Sequence, residues 1–306
     1  MKNQVNAKWL VPLKGTRRWR EARRAYLIWC PLIFYTSIWS LIPLLYGLYL
    51  GFTDYNGLGG KPVWVGLKNF ETFFLISDFS ILLLRQALLG TATLAVNTVL
   101  SFGMALLLNM KSRIKGVFRT AIYVPAVAAS TTTTAIWVAL LNPLGNQGLN
   151  KIITSLGGSA IAWNYSAMWM FFWIVIYNSW KSIGPAVILW LGGLQGIDPS
   201  LYEAAQVDGA SFWQRIRYIT IPGLRYITMY ILLTGIIGAM QMFDTVMLIS
   251  GGSPYGQTDV LMFRIYRDGF RNFNLGMAGA ESLILGLTTI VFAVGYFNLQ
   301  QKGDNQ

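Results

Sequence analysis

A chain of 306 residues that is 54% hydrophobic and only 12% charged, with a mean hydropathy of +0.48, carries more apolar surface than a soluble domain of that length can hide. Its 24 Lys and Arg against 12 Asp and Glu give a formal charge of +12, but the basic residues cluster beside apolar runs, where membrane topology alone explains them without nucleic acid. One cysteine, Cys30, and no histidine exclude an intrachain disulfide, a cysteine metal cluster and histidine-based zinc or acid–base chemistry.

A helix needs about 20 mainly apolar residues to cross about 30 Å of hydrocarbon. Six stretches meet that length. They run from Ala25 to about Thr53, Gln86 to Met110, Thr120 to about Leu141, about Ser166 to Leu191, about Pro222 to Ser250 and about Asn274 to Leu299. The apolar run after the basic start is too long for a cleaved signal peptide, and no small-residue cleavage site follows it. Under an even-numbered topology, segments 1–24, 110–119, 192–225 and the tail hold sixteen Lys and Arg, while loops 53–80, 142–165 and 251–272 hold six. The positive-inside rule then puts both termini in the cytoplasm. The run Lys14 to Arg24 is also suited to touching anionic lipid head groups. The expectation is an all-α membrane protein of six transmembrane helices. A basic segment spans 1–24, a transmembrane domain 25–299 and a cytoplasmic tail 300–306.

The opposite loops are short and polar, with turn clusters such as Asp54-Tyr55-Asn56-Gly57 and Gly251-Gly252-Ser253-Pro254, so no separate soluble domain fits there. The cytoplasmic loop at about 192–221 is longer than a helix hairpin requires, and it is organised. Asp198 can cap a helix whose first position is Pro199. Leu201 to Asp208 supplies helix formers, and Gly209 the left-handed residue that closes them. Ser211 can cap a second short helix, Phe212 to Ile219, and Pro222 restarts the chain as the fifth span. Such an elbow, with paired small residues at Ala204 and Ala205, suits a groove in a partner protein. The plain alternative is an amphipathic loop resting on lipid, for which Trp213, Arg215 and Arg217 are equally fitted.

Within the spans, ionisable groups are costly and therefore candidates for function: Lys181, Asp244 and Glu281. Against substrate contact stand snorkelling of Lys181 towards the cytoplasmic surface, and an outer position or pairing inside the bundle for Asp244 and Glu281. Thr131 to Thr134 could line a pore, or bond their own helix backbone. The twelve tryptophans are mostly interfacial or packing residues.

The stretch Glu203-Ala204-Ala205, Asp208-Gly209-Ala210 and Ile219-Thr220-Ile221-Pro222 resembles the EAA motif of bacterial ABC importer permeases. The likeness covers most of the chain, in the pattern of the maltose-type and glycerol-phosphate-type sugar permeases. It includes Gly66-Leu67-Lys68-Asn69-Phe70, Phe118-Arg119 through Pro125, Trp137, Asn142-Pro143, Gly145, Asn150, Leu191 to Gln195, Phe243-Asp244, Gly251 to Pro254 and Thr258. The departures are Ile221 in place of leucine, Ser253 in place of glycine and Gly90-Thr91 in place of Asn-Thr.

The resemblance implies the type I ABC importer permease fold in a bacterial or archaeal cytoplasmic membrane. It also implies a second homologous permease, two ATPase subunits that bind ATP and Mg, an extracellular solute-binding protein and a carbohydrate, in practice oligosaccharide, substrate. The 192–221 loop would be the coupling loop. Glu203 would anchor it in an ATPase cleft, Ala204 and Ala205 would form its close-packing face, and Gly209 would fix the turn, with Tyr202, Asp208 and Ala210 completing the segment. Asn178 matches a sugar-contacting asparagine of the maltose-type permease, and Gly238 to Met242 a sugar-lining segment in which only Gln241, beside Met242, keeps a polar amide. Helix-to-helix bonding by Asn178 and Gln241 is the competing reading. The chain itself has no phosphate-binding loop, since Gly59-Gly60-Lys61-Pro62 is not one, and no catalytic or metal residues, so it is expected to carry no cofactor and to be no enzyme. A stand-alone secondary transporter or channel, with Glu281 carrying protons, is the alternative function.

Overall fold

A computed structural model of the chain describes residues 17–76, 79–110 and 115–304. Most of the expected basic segment 1–24 lies outside the described residues, as do Lys111, Arg113 and the last two residues of the expected tail.

The first span joins α1 (Arg17–Thr36) through a wide π-helical turn at Ser37–Leu41 to α2 (Ile42–Leu50). A two-residue antiparallel pair follows, β1 (Thr53–Asp54) with β2 (Val63–Trp64), in the register Thr53 to Trp64. Next come the short α3 (Lys68–Ile76) and the 31-residue α4 (Phe79–Asn109). Helices α5 (Lys115–Val127) and α6 (Ser130–Leu140) meet at 95° and are followed by α7 (Gly148–Ser155) and α8 (Ala167–Gln195). The elbow is α9 (Pro199–Val207) and α10 (Phe212–Arg215), the latter running on through a π turn into α11 (Ile221–Gly223). A bend of 69° leads to α12 (Arg225–Met240), and α13 (Leu261–Tyr266) and α14 (Leu275–Asp304) complete the chain. Among the described residues four helices are long and apolar enough to cross a membrane singly, and counting each bent pair as one span makes six.

Three of the expected spans are corrected. The second span starts at Phe79, not Gln86, because Arg85 is accommodated inside the helix: its Nη1 donates to the carbonyl of Gly256 at 2.7 Å. The third span is broken at Ala128-Ala129, where Ala129 turns extended (φ −57°, ψ 133°). The fifth span does not restart at Pro222: the elbow helix continues to Gly223 and the bend falls at Leu224. At the other end it stops at Met240, and only a separate π turn, Val246–Ser250, carries the chain to Ser250.

The bundle is organised around α4 and α8. On α4, the buried residues Leu82, Gln86, Leu89, Asn97, Ser101, Ala105 and Leu108 recur at helical spacing along one face. Near the elbow this face joins Val187, Trp190, Leu194, Leu224 and Ile231 in one apolar cluster. At the far end Phe73, Leu82, Met240, Leu261, Ile284 and Leu285 form another. The first span is different. Its described side chains from Arg23 to Tyr46 are almost all exposed, and it joins the bundle where Gly47 and Gly51 cross α14. A Cβ at Gly279 would sit 2.6 Å from the Gly47 carbonyl oxygen, so only small residues allow that backbone approach.

Candidate functional site: a central cavity and an exposed elbow

Between the two apolar clusters lies a cavity of about 840 Å³, walled by α4, α8, α12, the segment 241–245 and the sixth span. Five of the six sequence candidates line it: Asn178, Lys181, Gln241, Met242 and Asp244. They converge because α12 ends at Met240 and the chain turns irregular through Gln241 to Phe243, carrying those side chains opposite α8. Unwound backbone at membrane depth is tolerated where it borders a cavity.

Asn178 is bound on both sides of its amide. Its Oδ1 accepts from Thr245 Oγ1 at 2.8 Å, and its Nδ2 reaches Met242 Sδ at 3.5 Å. It therefore faces the cavity while also tying α8 to the 241–245 segment. Lys181 does not reach for a membrane surface: its Nζ donates to Ser130 Oγ at 2.6 Å and to the Ala128 carbonyl at 3.4 Å. Gln241 and Asp244 are exposed to the cavity.

Glu281 stands apart from the lining. It is fully buried, and its Oε1 accepts from Arg264 Nε at 3.1 Å, the pairing inside the bundle that burial of a carboxylate demands. Arg264 also approaches Asp268 at 3.5 Å, while Arg267 grips Asp259 at 2.6 Å. Asp259, in the loop before α13 and outside the spans, has its carboxyl pushed up by burial against the opposing pull of Arg267, Arg264 and Arg85. This charged layer closes the end of the bundle opposite the elbow.

The threonine run lies outside the cavity lining. Thr133 and Thr134 are buried and bond Tyr177 Oη at 2.8 and 2.9 Å, and Thr133 also bonds its own helix carbonyls. Sequence reasoning missed Ser130, Thr93, Asn97, Ser182, Thr234 and Ser282 as lining residues. A signal existed for some of them: Thr93 and Asn97, and likewise Asn178 and Ser182, are four apart and so share a helix face. The buried Asn97 Nδ2 indeed donates to Ser182 Oγ at 2.8 Å, joining α4 to α8.

The elbow follows its local chemistry. Asp198 accepts from the Ser200 amide at 2.9 Å, and that hydrogen bond holds its carboxyl below the usual range. Helix α9 closes with paired bonds, Ala210 N to Ala205 O at 2.8 Å and Gly209 N to Gln206 O at 3.1 Å, with Gly209 at φ +75°. Ser211 and Gln214 then form a reciprocal cap for α10. One longer bond, Tyr202 Oη to Thr220 Oγ1 at 2.9 Å, ties the two arms. Glu203, Ala204, Asp208 and Gly209 are exposed, Ala205 and Ala210 half-buried. Beside them Val207 is 88% and Trp213 75% exposed, a large apolar face left uncovered.

A six-span helical bundle with a central polar-edged cavity and a structured loop at one end is the build of a transport permease. The family described as binding-protein-dependent transport system inner membrane component matches residues 97–302, and the chain belongs to it. It is thus a transport subunit rather than an enzyme. It is 29% identical over 295 residues to the trehalose/maltose transport system permease protein MalF of Thermococcus litoralis, covering 93% of this chain and 98% of that protein. It is 31% identical over 288 residues to the sn-glycerol-3-phosphate transport system permease protein UgpA of Agrobacterium fabrum, covering 90% and 94%. Among solved structures, a bacterial ABC transporter involved in the import of the acidic polysaccharide alginate contains a chain that superposes with a TM-score of 0.82 at 23% identity, covering 94% of this chain and 99% of that one. The fold is accordingly that of type I ABC importer permeases.

Proposed function

We propose that this chain is one permease of an ATP-driven carbohydrate importer with oligosaccharides as cargo, and that it forms the translocation pathway with a second homologous permease. In this reading it sits in a bacterial or archaeal cytoplasmic membrane with both termini inside. Segment 25–299 is the permease domain, flanked by a basic segment 1–24 and a tail 300–306. An extracellular solute-binding protein delivers the carbohydrate. Two separate ATPase subunits bind ATP and Mg, and one of them seats the coupling loop 192–221 through Tyr202, Glu203, Ala204, Ala205, Asp208, Gly209 and Ala210. Asn178, Lys181, Gln241, Met242 and Asp244 are the pathway contacts.

The observation that carries this reading is the elbow. Its shape is held by its own caps, and Ala204, Val207, Phe212 and Trp213 stay exposed on it, which is the condition of a segment built to fill a groove elsewhere. The cavity supports a polyhydroxy cargo, because amides both donate to and accept from hydroxyls. The relatives' names support sugar or sugar-like substrates. The alternative of a carrier with Glu281 moving protons is weakened because Glu281 is paired with Arg264 behind the wall and does not line the cavity.

Co-expression with the partner permease and ATPases should yield one complex whose sugar-stimulated ATP turnover tracks uptake. Vesicles holding this polypeptide alone that accumulate solute without nucleotide would overturn the proposal.

A further inference from the structure

Two residues one turn apart on α8 hold the two sides of the break in the third span. Tyr177 Oη bonds Thr133 and Thr134 in α6, and Lys181 Nζ bonds Ala128 O and Ser130 Oγ at the break itself. Ala128 O lies just past the end of α5, where the helix leaves carbonyls unpaired and partial negative charge accumulates, so an ammonium is the fitting partner. Both ends of the Lys181–Ser130 contact face the cavity. Among the described residues Lys181 makes no ion pair, and both acceptors of its charge are neutral oxygens. An ammonium has three donors, of which these contacts use two, on a flexible four-carbon stem.

From this geometry we infer that Lys181 is a cargo-sensitive latch on the broken third span: its ammonium holds Ser130 and Ala128, and an oxygen-rich cargo entering the cavity takes over those donors and frees the break. The acceptors to be replaced are neutral oxygens, so a neutral hydroxyl suffices for the exchange, and a charged carboxylate or phosphate oxygen would compete more strongly. Tyr177 holds α6 on α8, and farther along α8 Gly184 packs against the backbone of Ile122 and Tyr123 in α5, so the release acts at the corner itself, on the angle between the two arms. The inference rests on the importer reading for its cargo, but not for the latch itself.

The test is a spin-label distance across the corner in the assembled importer in lipid nanodiscs. Labels go at Val117→Cys in α5 and Ile136→Cys in α6, both on exposed faces, in a Cys30→Ser background that removes the only native cysteine. Without sugar, the parent should give one narrow distance distribution. Lys181→Met should broaden and shift it, Ser130→Ala should do so part-way, and the double variant should match Lys181→Met. A parent-like distribution in Lys181→Met, or additive shifts in the double variant, overturns the latch. Maltose, the first probe, should move the parent towards the Lys181→Met distribution and leave that variant unmoved. A parent that transports maltose with no change in distance overturns the cargo half of the inference. A parent that neither assembles with its ATPases nor transports sugar sinks the importer reading instead, and the sugar-free comparison still decides the latch.

Discussion

The elbow and the cavity wall are held together in opposite ways. In the elbow, the capping bonds join residues two to five positions apart, Asp198 to Ser200, Ser211 to Gln214 and Ala205 to Ala210, and one side-chain hydrogen bond, Tyr202 to Thr220, reaches farther. In the wall, Lys181 meets Ser130 51 positions away, Asn178 meets Thr245 67 away, and Gln86 Oε1 accepts from the Leu261 amide 175 away. Gln86 Nε2 also donates to the Ala239 carbonyl. A locally wired element keeps its shape when the bundle around it rearranges. A wall wired across helices changes whenever they shift. The coupling and cargo roles proposed for the two regions would need those contrasting properties.

The contrast can be broken most forcefully at Gly209. Proline there cannot adopt φ +75° and deletes the amide bonded to Gln206, a mismatch of about 3 kcal/mol or more. Reconstituted importer carrying Gly209→Pro should lose sugar uptake while ATP turnover becomes sugar-independent and thermal unfolding of the bundle stays unchanged; Glu203→Lys should act in the same direction. Normal coupling in both variants would show that the elbow transmits nothing. In the charged layer, Glu281→Leu leaves Arg264 without its buried partner and should destabilise the purified protein by about 3–5 kcal/mol in thermal or denaturant unfolding. Wild-type stability would mean that the pair contributes nothing net.

A smaller effect is expected in the cavity wall. Thr245→Val removes one interhelical bond to Asn178, worth about 0.6–2 kcal/mol, and should raise the sugar concentration needed for half-maximal ATP stimulation without uncoupling turnover. Uncoupling in this variant would erase the division between the two regions. The smallest effect concerns pH. Burial raises Asp259 above its ordinary 3.8, so the folded protein holds that proton more tightly than the unfolded chain does. Its contribution to stability is fully present below 3.8 and is lost as pH rises through the raised folded value. Asp259→Asn should flatten that part of the profile of melting temperature against pH, and an unaltered slope would assign it to other groups.

Much of this was legible beforehand because it depends on short-range rules. The N-cap at Asp198, the left-handed turn at Gly209 and the cap at Ser211 were each read from one or two neighbours, and the structure has all three. Six apolar stretches were visible as long runs with few or no charges. Their interruptions were not, since the break at Ala128-Ala129 falls in a run as apolar as its surroundings, beyond Pro125, and its loose carbonyl is met by Lys181 from another helix. Glu281 illustrates the same limit: an intramembrane acid reads as a pathway residue until Arg264, 17 positions earlier, is found beside it.

The sequence by itself determined that the chain is a helical membrane protein with six apolar stretches and how the elbow folds, because hydropathy and caps act over one or two helical turns. Only the tertiary structure decided which polar side chains face the cavity, which pair behind its wall and where the third and fifth spans bend. Those outcomes depend on partners tens of residues away, and in a medium without water a polar group is placed by whichever distant partner can satisfy it.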